Sequence, residues 1–396
     1  MCDAEAKEAE TASGRRHKRD WALFYGLNVA FAFGFAVYAG VFLNFMRDVL
    51  HAGPQQLGNL ESLREIPGLL AAVMAGTLVA LAETRIASLG LFVMAIGIGF
   101  SGSVPSYDKL ILVTVFWSVG FHLWSSVAPA ITLALAKGLQ GGYHLGRISG
   151  ISNLATLGAL GASFSLSRLL PHHDYLPYFV IGGVSIGVAS LLCSRLSTDA
   201  HGAPRSRLVL RKKYGLYYLL IFLEGCRRQI FGIFATFALI MVYKQPLAAM
   251  LVVQFANSLL IAFTAPLIGR LTDRIGERRP LTFYSIALII VFFGYTHFQV
   301  VGALYALYLV DNILFGFGVG YTTYLHRIAE PSELTPCLAM GTTMNHIAAV
   351  TVPAGGAWLW AHYGNYKLPF YVGITIAFVA LVATQFLPAR ANSVKA

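Results

Sequence analysis

Three charged side chains crowd one short apolar segment, Leu223-Glu224-Gly225-Cys226-Arg227-Arg228-Gln229. Spacings of three and four place Glu224, Arg227 and Arg228 on one face of a helix, and the order of Glu224 before Arg228 favours an intrahelical pair. An arginine keeps its charge and offers a planar fork that grips a carboxylate or phosphate with two hydrogen bonds. A carboxylate beside it can carry a proton, or act as a counter-ion that releases the arginine when an anion arrives. Asp311 is a further lone acid in apolar surroundings, and Glu61, Arg64 and Glu65 form a second cluster at helical spacing. Ser118, His122 and Ser125 recur on one helical stripe, Asn28 stands alone, and Asn345 is followed by His346.

The elements that hold these groups are apolar helices. Of the 396 residues, 57% are hydrophobic and 12% charged, with a mean hydropathy of +0.65. Soluble domains carry about 25% charged residues, so an ordinary globular enzyme is excluded. Stretches of about 20 apolar residues, each long enough to cross a hydrocarbon core about 30 Å thick, predict spans at 21–46, 57–82, 86–104, 108–136, 147–168, 175–195, 213–242, 245–271, 280–298, 301–328, 338–362 and 368–388. Glu224, Arg227 and Arg228 then fall near mid-depth in the seventh span, and Asp311 near mid-depth in the tenth. A charge at the bilayer centre costs roughly 2.5–3.5 kcal/mol on insertion scales, which makes these four residues the first place to look for function. Glu61, Arg64 and Glu65 lie nearer the outer surface, where they are read as an outer-gate salt bridge, with snorkelling to the interface as the alternative.

The fold class is therefore an all-α membrane protein with twelve transmembrane helices in two pseudo-symmetric bundles of six. Residues 1–20 form an N-terminal tail, 21–196 the first bundle, 197–212 a basic connector, 213–388 the second bundle and 389–396 a C-terminal tail. Of the 29 lysines and arginines, 21 fall on the side shared by both tails, five on the opposite side and three within spans. Because positive loops stay inside, both termini are predicted to be cytoplasmic, in a cell (inner) membrane. Shifting the second half back by 193 residues sets Gly269 on Gly76, Gln254 on Glu61 and Asn257 on Arg64, a weak internal repeat.

Other chemistry finds no support. Gly97-Ile98-Gly99-Phe100-Ser101-Gly102 satisfies a dinucleotide pattern but lies inside an apolar span, so helix packing is the better reading. The glycines 316, 318 and 320 are read the same way. The aromatics Trp117, Trp124, Tyr25, Phe31, Phe35 and Tyr38 are read as packing or cavity wall. The basic residues follow bilayer topology rather than a nucleic-acid face, the four cysteines show no disulfide or metal spacing, and no cofactor or enzyme motif is found.

Between the eighth and ninth spans the chain reads Gly269-Arg270-Leu271-Thr272-Asp273-Arg274-Ile275-Gly276-Glu277-Arg278-Arg279. This resembles the Gly-x-Leu-x-Asp-Arg-x-Gly-x-Arg-Arg loop of the major facilitator superfamily, and the layout of six spans, basic connector and six spans is similar to that family. The first-half counterpart departs from the pattern: Ala80 holds the Asp position, with Glu83 the nearest acid. The fifth span lacks the Gly-Pro pair of the proton antiporters, and an echo of it stands at Pro353-Ala354-Gly355-Gly356 in the eleventh.

The resemblance implies a monomeric secondary transporter working by alternating access, with its cavity lined by the first, fourth, seventh and tenth helices. Those helices carry Asn28, then Ser118, His122 and Ser125, then Glu224, Arg227 and Arg228, and then Asp311. Arg227 and Arg228 are then candidates for holding an organic anion or zwitterion, with Glu224 and Asp311 as proton carriers or counter-ions. Gly269, Asp273, Arg274, Gly276, Arg278 and Arg327 would form the cytoplasmic gate, Asp273 meeting Arg327. Export of hydrophobic or cationic compounds, and a transporter-like sensor or scaffold, are the alternatives.

Overall fold

A computed structural model describes residues 2–70, 81–136, 141–197 and 210–388. The first-half loop residues from Gly76 to Ala80 and most of the connector lie outside the described residues. Among the described residues twelve helices run in chain order: α1 Cys2–Asp48, α2 Pro54–Leu69, α3 Glu83–Ser101, α4 Tyr107–Leu135, α5 Gly141–Leu169 and α6 Leu176–Ser194, then α7 over 215–241, α8 Leu247–Ile275, α9 Arg278–His297, α10 Val301–Ile328, α11 Pro331–Tyr363 and α12 Leu368–Thr384. Among the described residues seven of them, α1, α3, α4, α6, α8, α9 and α10, are long and apolar enough to cross a membrane by length and composition alone. α1 runs further back than the expected span, because the polar stretch before Trp21 contains no proline and is rich in alanine, glutamate and lysine, all good helix formers.

The chain divides into two compact units. The first comprises Met1–Phe42 and Leu70–Pro204. Its core is α3 packed between α4 and α6, and glycine makes the close approach possible. A Cβ on Gly90 would sit 2.7 Å from the carbonyl oxygen of Gly120, and one on Gly120 2.3 Å from that of Gly90, so the two backbones touch where side chains would hold them apart. Gly97, first of the dinucleotide-like run, likewise packs its backbone on Trp117 of α4.

The second unit comprises Leu43–Leu69 and Arg205–Ala396, so α2 and the end of α1 belong with the helices of the C-terminal half. α2 packs along α11, where Gly58 lies against the turn at Pro353: an added Cβ would be 2.4 Å from the Pro353 carbonyl oxygen and 2.2 Å from the Cβ of Ala357. The Ala354 amide donates to Ser62 Oγ at 3.0 Å. The Pro-Ala-Gly-Gly stretch thus serves here as a packing face for α2.

Two helices of this unit are irregular. α7 runs as α-helix over Gly215–Gln229, widens to a π-helical turn over Ile230–Ala235 and resumes over Thr236–Met241. α10 tightens to a 3-10 turn at Phe315–Gly318. The glycine run there does more than pack. Gly316 fits against Ile268 and Gly320 against Leu281, while the helix between them changes its winding.

Candidate functional site

Arg227 is 3% exposed and sits between two acids. Its Nη1 donates to both carboxylate oxygens of Asp311 on α10, at 2.9 and 3.1 Å, and its Nε and Nη2 donate to Glu224 Oε1 at 3.2 and 3.1 Å. Tyr284 of α9 donates its hydroxyl to the same Glu224 carboxylate, 2.8 Å from Oε2. The guanidinium carbon lies 5.4 Å from the Tyr284 ring centroid and 5.2 Å from that of Phe315. Glu224, Asp311 and Tyr284 are all buried. Every strong donor and acceptor in this knot therefore has a partner, as a charge withdrawn from water requires.

The expected Glu224–Arg228 pair does not form. Glu224 takes Arg227 at i+3 instead, and the same guanidinium reaches Asp311 and the ring of Tyr284. Arg228 is exposed, makes no ion pair among the described residues, and lays its guanidinium 5.1 Å from the centroid of Phe315. Sequence reasoning missed Tyr284, one of 19 tyrosines with nothing local to single it out, and the π-faces of Phe315 and Tyr284 that shelter the cation.

Glu224 also faces a cavity of about 400 Å³ bounded by α7, α8, α10 and α11. Its polar lining includes Thr264, Asn312, Thr322 and Asn345, and Phe315 is part of the wall. Asn345 sits where Gly225 leaves room for it: a Cβ on Gly225 would meet the Asn345 amide oxygen at 2.6 Å. The volume falls within the range of about 300–1,000 Å³ usual for small-molecule sites.

The cluster on α2 connects to α11. Arg64 pairs with Glu61 at 2.7 Å and with Glu65 at 3.2 Å, and Glu65 meets His346 Nδ1 at 3.2 Å. Of the two residues read together on the eleventh span, His346 thus faces α2 and Asn345 the cavity.

In the first unit, His122 Nδ1 lies 2.9 Å from the Ser118 carbonyl oxygen and 3.1 Å from Ser118 Oγ. Ser125 Oγ donates to the His122 carbonyl at 3.3 Å, and Asn28 Nδ2 donates to the Phe24 carbonyl at 2.8 Å. These bonds are internal to α4 and α1. Phe31, Phe35, Phe121, Trp117 and Trp124 form a continuous aromatic group beside them, with neighbouring rings 5.6–6.5 Å apart.

At the loop after α8, Gly276 caps the helix with φ +79° and donates to the Thr272 carbonyl at 3.0 Å. That positive φ suits glycine alone. Arg327 at the end of α10 pairs with Glu277 at 3.0 Å, and Arg278 donates to Gln385 at 3.3 Å. Nothing crowds Gly269, and Arg274 is exposed. The expected partner of Arg327 is Asp273, whose side chain lies outside the described residues; among the described residues the acid that meets Arg327 is Glu277, beyond the glycine cap.

Nearby, Arg211 and Lys213 reach Glu333 at 2.7 and 2.8 Å, Lys213 reaches Glu330 at 2.6 Å, and Tyr214 donates to Glu333 at 2.6 Å. This latch ties the end of the connector to the start of α11. The hydrogen bonds from Lys213 and Tyr214, backed by the charges of Arg211 and Lys213, hold the Glu333 carboxyl below its ordinary value of 4.5.

A family model described as Major Facilitator Superfamily matches residues 24–325. No curated protein sequence matches the chain. Among solved structures, a point mutant of the nucleoside transporter NupG superposes with a TM-score of 0.78 at 13% identity, over 93% of this chain and 99% of that one. A bacterial homologue of the iron transporter ferroportin gives 0.74 at 15% identity, over 93% and 98%. A D-xylose–proton symporter gives 0.70 at 13%, over 93% and 97%.

Proposed function

Since the chain belongs to the major facilitator superfamily, we propose that it is a secondary transporter that moves a small organic anion or zwitterion across the membrane by alternating access. The observation that carries this reading is the unequal fate of the two arginines. Arg227 is consumed by Glu224 and Asp311, with the Tyr284 ring against its guanidinium. Arg228 keeps an unspent charge against Phe315, an aromatic that also walls the cavity that Glu224 faces. A solute carboxylate or phosphate would take the fork of Arg228, while Asn312, Asn345, Thr264 and Thr322 hydrogen-bond its polar body.

Two carboxylates share one guanidinium in the buried knot, so binding one proton leaves a neutral pair. Glu224, which faces both the knot and the cavity, is our candidate for coupling transport to a proton. The chain from Arg64 through Glu65 to His346 would act as the outer gate, and Glu277 with Arg327 and the Gly276 cap as the inner one. Asn28, Ser118, His122 and Ser125 are assigned to the solute path of the first bundle. We place both termini in the cytoplasm, the protein in the cell membrane, and the working unit as a monomer. A second reading, export of hydrophobic cations, draws support from the aromatic group of Phe31, Phe35, Phe121, Trp117 and Trp124.

Flux into proteoliposomes, measured with a panel of anionic, zwitterionic and cationic solutes with and without a pH gradient, tests the reading. Anion uptake that falls in Arg228→Gln supports it. Flux of hydrophobic cations alone, unaffected by Arg228→Gln, overturns it in favour of export, and absence of all flux points to a non-transporting sensor.

A further inference from the structure

A second cavity lies in the first unit, on a face that the transport site does not use. It has a volume of about 750 Å³ and runs between α3 and α6. One end is polar, with Arg85, Thr84 and Ser194 in the wall; the remainder is apolar, with Leu89, Phe92 and Leu191. Those three apolar side chains are 47%, 54% and 54% exposed, so the groove opens outward. Arg85 is exposed and makes no ion pair among the described residues. The floor is sealed: Ser88 and Ser190 bond each other's backbone carbonyls at 3.1 and 2.8 Å, and Cys193 Sγ reaches the Thr84 carbonyl at 3.5 Å. A basic head, hydroxyl neighbours and an outward-opening apolar trough make an amphipathic mould.

We infer that this groove is a binding site for an anionic phospholipid, whose phosphate pairs with Arg85 and whose acyl chain lies along Leu89, Phe92 and Leu191. Charge complementarity selects this occupant. An unpaired guanidinium at the end of an apolar groove is matched by a molecule with an anion at one end and hydrocarbon beyond it, and in a membrane-spanning chain such molecules are the surrounding solvent. A free phosphate would leave the apolar trough unfilled, and a lipid with a zwitterionic headgroup would bring its own cation against Arg85. On the proposed orientation the site belongs to the cytoplasmic leaflet.

The test is native mass spectrometry of the full-length detergent-purified protein with phosphatidylglycerol or phosphatidylcholine. One phosphatidylglycerol should be retained in preference to phosphatidylcholine by about fivefold, the effect of one basic residue at an anionic surface. The preference should vanish in Arg85→Gln, persist in Arg85→Lys, and survive an excess of inorganic phosphate. Equal retention of both lipids, an unchanged preference in Arg85→Gln, or displacement by phosphate alone would overturn the proposal. A phosphatidylglycerol carrying a photoreactive acyl chain supplies a check on the unmutated protein. Adducts should map to peptides of α3 and α6, and adducts confined to other helices would overturn it equally.

Discussion

Removing a single partner from a buried charge cluster exposes what the cluster was for. Arg227→Gln leaves the buried carboxylates of Glu224 and Asp311 without their cation, and should cost about 3–5 kcal/mol of stability, read as a fall in melting temperature in detergent. Replacing Glu224, Arg227 and Asp311 together by Gln, Met and Asn removes the charges as a set, and should restore most of that loss. Arg228→Gln touches no ion pair, so its melting should stay within about 0.5 kcal/mol of the parent while anion flux drops. A large loss of stability in Arg228→Gln would contradict the division of labour between the two arginines. This division was not legible from the local pattern, because Arg227 at i+3 and Arg228 at i+4 from Glu224 both lie on its face. What decides between them is Tyr284, 60 residues from Glu224, and Asp311, 84 residues from Arg227. The presence of a mid-membrane charge cluster was legible, since four ionised groups in apolar spans need partners; its wiring depended on helices far off in the chain.

Helices as units show the same contrast. Their number and approximate limits follow from stretches of apolar residues, but their irregularities do not. Gly316 and Gly318 mark a place where winding can change; the side chains that α10 meets there, Ile268 of α8 at Gly316 and Leu281 of α9 at Gly320, lie far off in the chain. The π-helical turn in α7 contains a single glycine, Gly232, and rotates everything after it by about 100° relative to an unbroken α-helix. Deleting Gly232 should therefore let α7 run as unbroken α-helix with Phe237 still against Trp360, whose ring centroid is now 5.7 Å distant, and lower the melting temperature less than a one-residue deletion in the regular part of α7 does. The α2–α11 contact allows a sharper test. Gly58→Leu cannot be accommodated against Pro353 and Ala357 in the conformation described. If the outer gate opens during transport, this substitution should favour the open form, and cysteines placed near Glu65 should react faster with an impermeant reagent. Unchanged reactivity in a folded Gly58→Leu protein would show that α2 and α11 do not separate there.

For the molecule as a whole, orientation and pH response can be checked together. Single cysteines introduced into the connector near Pro204 should need permeabilised membranes for labelling, if the proposed topology, with 21 basic residues on one side against five on the other, holds. The latch on α11 gives the pH response its sign. A carboxyl held below its ordinary value stabilises the fold fully above that value and ceases to do so as pH falls through the lowered one. The melting difference between the parent and Glu333→Gln should thus be constant from about pH 5 upward and shrink below about pH 4.5. A difference that grew on acidification would refute the assignment. The two-unit division has a further consequence for how the chain can be taken apart. The connector looks like a place to cut the protein into two halves, but Leu43–Leu69 is packed within the second unit although it lies in the first half of the chain. A fragment ending before the connector would carry that segment with it, and the fragment beginning after the connector would lack a piece of its own interior. Expressed separately, the second fragment should be poorly folded; expressed together, the two should recover each other by complementation and leave an affinity column as a pair, with no peptide bond joining them.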